Sequence, residues 1–192
     1  MSAQATVVEP IAVIGLGNVL LGDDGFGPTV VEWVRSHYRL PPGVALIDAG
    51  TPGLDLASYL IEREAVLLVD TVASTGEQGE LRIYRGDELR RLPLKPRVSP
   101  HDPALGEALG IAELAGAAPH ELVLIGAIPE SVDARVSLGA RMRGAVTGAA
   151  TLVIAELERL GVHVVRGTTP AQAPPWWSVA TPEVTARRSI LG

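Results

Sequence analysis

Apolar residues in this chain follow two rhythms. Short unbroken runs within Ile11–Ile14, Ala65–Val69 and Glu121–Ile125 predict buried strands, and Val44–Ile47 predicts a further strand. Between them the spacing becomes helical. Val30, Val31, Val34 and Tyr38 mark a helix from about Gly27 to Tyr38, and Leu54, Leu56, Tyr59 and Leu60 a short one from Leu54 to Glu64. Leu105, Leu109 and Ala112 predict a third helix, which Asp102 would cap with Pro103 in its first turn. The longest amphipathic stretch, Gly139 to Leu160, aligns Met142, Val146, Ala149, Val153, Ile154 and Leu157 on one stripe. Leu81–Tyr84 alternates apolar with polar and predicts an edge strand.

Strands alternating with helices predict an α/β fold, a three-layer α/β/α sandwich around a mostly parallel twisted sheet. One domain, residues 1–166, accommodates all these elements, with no internal repeat and no second domain. Arg90 to Pro100 is basic and proline-spaced, and reads as a surface loop. Residues 167–192 are rich in Pro, Thr and Ala, and predict an irregular tail whose only bulky content is Trp176-Trp177.

Composition narrows the function. Aromatics make up only 4%, so the core must rest on aliphatic side chains. The net charge is −6 and no basic stripe interrupts it, which argues against a nucleic-acid partner. Cysteine is absent, which excludes disulfides, thiolate metal ligands and a cysteine nucleophile, and agrees with a reducing compartment. No basic leader precedes an apolar stretch, and no apolar run approaches the roughly 20 residues needed to cross a bilayer. A cytoplasmic protein without a membrane partner is the expectation, and a monomer the simplest state.

The candidate chemistry lies where strands end. Asn18, Asp23 and Asp24 follow the first strand, Asp48 the second, Asp70 the third and Glu130 the fourth, while His101 precedes the helix at Asp102. In a parallel open sheet these loops converge on one crevice. Carboxylates gathered there repel one another unless a cation intervenes, and Asp24, Asp70 and His101 form an oxygen–nitrogen set suited to a borderline divalent metal such as zinc or nickel. Taken singly, each has an ordinary role: Asp24 or Asp23 as a helix cap, Asp70 as the opening of a turn, His101 as a loop residue. His37, His120 and His163 read as ordinary too.

Other chemistries fit less well. Gly15-Leu-Gly17 begins like a dinucleotide fingerprint, but Leu20 takes the third glycine's place and Asp23-Asp24 would repel a phosphate. Neither Gly-x-Ser-x-Gly nor His-Glu-x-x-His occurs, and Ser99 beside Pro100-His101 has no evident third partner.

Several motifs in order resemble those of the hydrogenase maturation proteases. Gly15-Leu-Gly-Asn-Val-Leu-Leu-Gly-Asp-Asp-Gly-Phe-Gly27 looks like that family's N-terminal signature. The likeness continues through Asp48-Ala-Gly-Thr-Pro-Gly53, Val69-Asp70, Ser99-Pro-His101 and Ile125-Gly-Ala-Ile-Pro-Glu130, spanning Ile11 to about Val165. The resemblance implies an endopeptidase that trims the C-terminal extension of the [NiFe] hydrogenase large-subunit precursor after nickel insertion. It implies that Asp24 (Glu in some members), Asp70 and His101 contact the metal and act through it. It also implies that Asp48, Gly50, Thr51 and Gly53 help to recognise the precursor, the glycines permitting close backbone approach. Nickel would arrive with the substrate, and no organic cofactor is expected. Two further readings are a non-catalytic chaperone of the immature subunit and a stand-alone metallohydrolase.

Overall fold

The computed structural model describes residues 8–90, 105–167 and Trp177. Strand β1 (Ile11–Leu16) leads through a 3₁₀ turn (Gly22–Gly25) into helix α1 (Phe26–His37). Strands β2 (Tyr38–Arg39) and β3 (Val44–Gly50) follow, then a second 3₁₀ turn (Gly53–Asp55) and helix α2 (Leu56–Leu60). Strand β4 (Ala65–Thr71) is succeeded by β5 (Leu81–Arg85), α3 (Asp87–Arg90), α4 (Leu105–Leu114) and β6 (Glu121–Ala127). Helix α5 (Ala140–Arg159) and the short β7 (Val165–Arg166) complete the order.

The main sheet runs β3-β1-β4-β6-β5, parallel except for β5, which pairs antiparallel with β6 at the edge. This is the expected single α/β domain with a mostly parallel sheet. The unbroken apolar runs supply both of its faces. Val13, Leu67, Val69, Val123 and Ile125 meet α1 and α5 through Val30, Val34, Met142, Val146, Ala149, Val153 and Leu157. The alternate residues Ala12, Ile14, Val66, Leu68, Leu122 and Leu124 meet α2 and α4 through Leu56, Leu60, Ala108, Leu109 and Ala112. Because both faces are covered, polar side chains on the inner strands can surface only at the strand ends.

The second helix is shorter than its apolar spacing predicts. It opens as a 3₁₀ turn and stops at Leu60, where Ile61 is extended and Glu62 takes a left-handed φ of 62°. The predicted helix at Gly27 to Tyr38 ends one residue early, because Tyr38 and Arg39 pair with Val165 and Arg166 in a two-stranded ribbon. The predicted loop within 91–100, the Asp102-Pro103 helix start and most of the tail lie outside the described residues. Among the described residues no helix is long and apolar enough to cross a membrane.

Topology locates the crevice. The chain leaves β1 for β3 on one side, and leaves β4 for β5 and then β6 on the other. Loops that depart in opposite directions open a gap at the carboxyl ends of two neighbouring strands, here β1 and β4.

Candidate active site

The β1–α1 loop is folded by close backbone packing. Gly17 takes a φ of 126° and donates its N–H to the Gly50 carbonyl at 2.8 Å. A β-carbon on Gly17 would lie 1.8 Å from the Asp24 carbonyl oxygen, so no other residue fits. The helix that follows is pressed onto the sheet. A β-carbon on Gly27 would lie 2.4 Å from the Val69 carbonyl oxygen and 2.3 Å from that of Leu16. This brings the 3₁₀ turn, with both aspartates, against β4.

Neither aspartate caps α1. Gly25 is its N-cap and no side chain bonds there, so the ordinary reading of Asp23 and Asp24 fails. Asp24, half-buried, accepts the Asn18 N–H at 2.7 Å through Oδ2, while Oδ1 has no hydrogen bond among the described residues. One oxygen fixes the carboxylate and the other stays available to a ligand.

Asp23 behaves differently. It is fully buried and accepts the N–H groups of Gly139 at 2.6 Å, Glu130 at 2.8 Å and Ser131 at 3.1 Å. The Arg135 guanidinium adds a long contact at 3.4 Å. Backbone bonds reinforce this lacing: Gly22 N–H to Arg135 C=O at 2.7 Å, Asp23 N–H to Ser131 C=O at 3.1 Å and Arg135 N–H to Leu20 C=O at 2.9 Å. Asp23 thus pins the loop between β6 and α5 to the turn that carries Asp24. By sequence, Asp24 belongs with the metal ligands and Asp23 is a candidate helix cap. Which of them turns inward depends on the 3₁₀ geometry, and no composition signal separates them.

Asp70, the penultimate residue of β4, is fully buried and accepts the Thr71 N–H at 2.7 Å through Oδ1. Alternation along β4 places it on the face of Val66 and Leu68, which α2 and α4 cover. His101 lies outside the described residues. Among the described residues no three His, Asp or Glu side chains are grouped closely enough to hold a metal ion. The strand-end carboxylates are therefore not one repelling cluster. Asp24 sits in the turn after β1 and Asp70 near the end of the neighbouring β4, Asp23 is consumed by backbone donors, and Asp48 and Glu130 are exposed.

Asp48, Gly50, Thr51 and Gly53 form a turn one strand further out. The β1–β3 register slips between Gly15 and Leu16, so that Gly15 faces Asp48 while Leu16 faces Gly50. This bulge bends the edge strand. Asp48 Oδ1 accepts the Gly50 N–H at 3.1 Å. Gly50 has a φ of 57°, yet a β-carbon there would meet nothing within 4 Å. Its glycine is required by backbone conformation, in contrast to the close approach expected from sequence. Beside this turn an open depression of 190 Å³ is lined by Gly17, Asn18, Val19, Asp48, Thr51 and Trp177, among others.

These features can be set beside known proteins. The family model for hydrogenase maturation proteases matches residues 28–156. The chain is 31% identical to the hydrogenase 2 maturation protease of Escherichia coli over 81% of this chain and 94% of that one. It is 37% identical to the hydrogenase expression/formation protein HoxM of Azotobacter vinelandii over 64% of this chain, a match that spans 59% of that relative. The solved structure of the hydrogenase maturating endopeptidase HybD from E. coli superposes with a TM-score of 0.76 at 31% identity, over 81% of this chain and 96% of that one. With its fold and most of its length matched, this chain belongs to the hydrogenase maturation protease family.

Proposed function

We propose that this chain is a cytoplasmic endopeptidase that removes the C-terminal extension of a [NiFe] hydrogenase large-subunit precursor, and does so only once nickel has been inserted. The carrying observation is that Asp24, in the turn that follows β1, and Asp70, next to last in β4, lie beyond or at the carboxyl ends of the two adjacent strands at which the sheet's connections diverge. The names of its relatives supply the reaction class and the processing role.

In this reading Asp24, Asp70 and His101 hold the nickel that the precursor carries. The donor set fits that ion. Carboxylate oxygens and one imidazole, with no thiolate, make a weak site for a borderline metal, so the ion is retained only when the precursor supplies further ligands. Bound nickel would supply Lewis acidity toward the scissile carbonyl or an attacking water. The chain's own part is positional. The Asn18 N–H fixes one oxygen of Asp24, and burial holds Asp70 in the sheet's end layer. The turn from Asp48 to Gly53 stands beside the β1–α1 loop, where it would read the precursor.

Mass spectrometry of a C-terminally extended large subunit after incubation with this protein tests the reading. Loss of a C-terminal peptide from the nickel-loaded form alone is expected. Loss from both forms would overturn the nickel gate. Loss from neither, with a complex still forming, would replace the protease by a chaperone.

A further inference from the structure

We propose that Trp177 completes a peptide-docking surface at the mouth of this crevice, with one side chain of the precursor seated between its indole and the turn at Asp48–Thr51. This rests on the precursor-processing reading above. Trp177 lies C-terminal to residues 28–156, the span that the family model matches.

Three observations carry the inference. Trp177 is half-buried and forms a wall of the depression without filling it, since 190 Å³ remains open. That space is below the roughly 300–1,000 Å³ of small-molecule pockets, and suits a single side chain projecting from an extended segment. Apart from Pro28 at the start of α1, its other lining residues, among them Gly17, Asn18, Asp48 and Thr51, belong to the two loops joined by the Gly17–Gly50 hydrogen bond.

Secondly, large apolar side chains surface on the same rim. Leu54 (59% exposed), Leu20 (48%) and Val136 (39%) come from three different loops at the carboxyl edge of the sheet. The Arg135 N–H bonded to the Leu20 carbonyl and the Gly17 N–H bonded to that of Gly50 make these loops one continuous rim. Thirdly, the rim borders the turn that carries Asp24, so a chain lying along it would lead to the proposed metal site. A tryptophan flanked by aliphatic residues around a polar recess is the composition of a protein-binding hot spot.

The test is steady-state cleavage of the nickel-loaded precursor by the full chain and four variants. Trp177→Ala should raise KM about tenfold with kcat within twofold, and Trp177→Phe should recover most of that loss. Leu20→Ala should raise KM about threefold, and Leu114→Ala, on the exposed back of α4, should change nothing. A KM within twofold of wild type for Trp177→Ala would overturn the docking role. A lower KM would overturn it differently, making the tail a cover that competes with the precursor. Failure of the wild-type chain to cleave would instead overturn the processing reading, and the docking inference with it.

Discussion

Carboxylates are buried at both ends of the sheet, but they are satisfied in opposite ways. At the amino end Glu156 of α5 is held by two guanidiniums: Arg85 of β5, and Arg159 at 2.9 Å, which also reaches Glu121 at 3.0 Å. At the carboxyl end the donors are almost all backbone N–H groups. Asp23 takes three of them, besides the long Arg135 contact, and Asp24 one. Among the described residues Asp24 and Asp48 make no ion pair. Dipoles orient a carboxylate without cancelling its charge, whereas a guanidinium cancels it. The amino end is thus an electrically closed staple, while at the carboxyl end Asp24 and Asp48, among the described residues, keep negative charge in place for a cation to meet.

The sharpest way to break this contrast is to remove charge at the open end while keeping shape. Asp24→Asn retains an oxygen for the Asn18 N–H and should leave the melting temperature almost unchanged. Cleavage of nickel-loaded precursor should fall by about a thousandfold, roughly 4 kcal/mol of transition-state stabilisation. Asp70→Asn should match it. Rates within threefold of wild type for both variants would end the assignment of these carboxylates to the metal.

Asp23 probes the difference between a positioned and a positioning carboxylate. Asp23→Ala leaves the Glu130, Ser131 and Gly139 N–H groups without their acceptor in a buried place. Destabilisation of about 3 kcal/mol is expected by urea unfolding. The loop between β6 and α5 should also lose amide protection in hydrogen exchange, while α2 and α4 keep theirs. Uniform loss throughout the sheet would mean that Asp23 supports the whole fold and not one loop.

These two adjacent residues also mark how far the sequence could be read. Strands β1, β3, β4 and β6 were legible because unbroken aliphatic runs have no other comfortable home in a chain with few aromatics. Alternation at Leu81–Tyr84 likewise gave an edge strand, whose antiparallel pairing the structure adds. The strand-end positions of Asp24 and Asp70 followed from that order alone. The division of labour between Asp23 and Asp24 did not, because it depends on which residue of a 3₁₀ turn faces the β6–α5 loop, a long-range contact. The β2–β7 ribbon escaped for a related reason: two residues are too few to carry a periodicity. Helix α2 was overextended because its apolar spacing continues past Leu60, where the chain turns to enter β4.

A smaller effect is expected at the recognition turn. Gly50→Ala meets no steric barrier, so its cost is that of a left-handed conformation, about 1–2 kcal/mol. If that strain is relieved by moving the turn, KM for the precursor should rise severalfold while kcat holds. An alanine variant as stable as wild type would show that the turn readily adopts another conformation, and would remove the rigidity assumed for it.

The smallest effect lies at the closed end, where pH distinguishes the two regions. Burial pushes the Glu156 carboxyl up, but hydrogen bonds from Arg85 and Arg159 outweigh it and hold the group below its ordinary value of 4.5. A carboxyl with a depressed folded value stabilises the protein above the ordinary value and loses that contribution as pH falls through the folded one. Glu156→Gln should therefore cost about 1 kcal/mol at pH 7, a modest figure because both arginines are more than 40% exposed. The gap in melting temperature between wild type and variant should persist down to about pH 5 and close as pH falls below 4.5. Precursor cleavage at pH 7 should not change, because the network lies at the end of the sheet remote from Asp24 and Asp70. A gap that stays constant through acid would mean that packing, and not charge, holds α5 to β5. A loss of cleavage at pH 7 would mean that the two ends of the sheet are coupled.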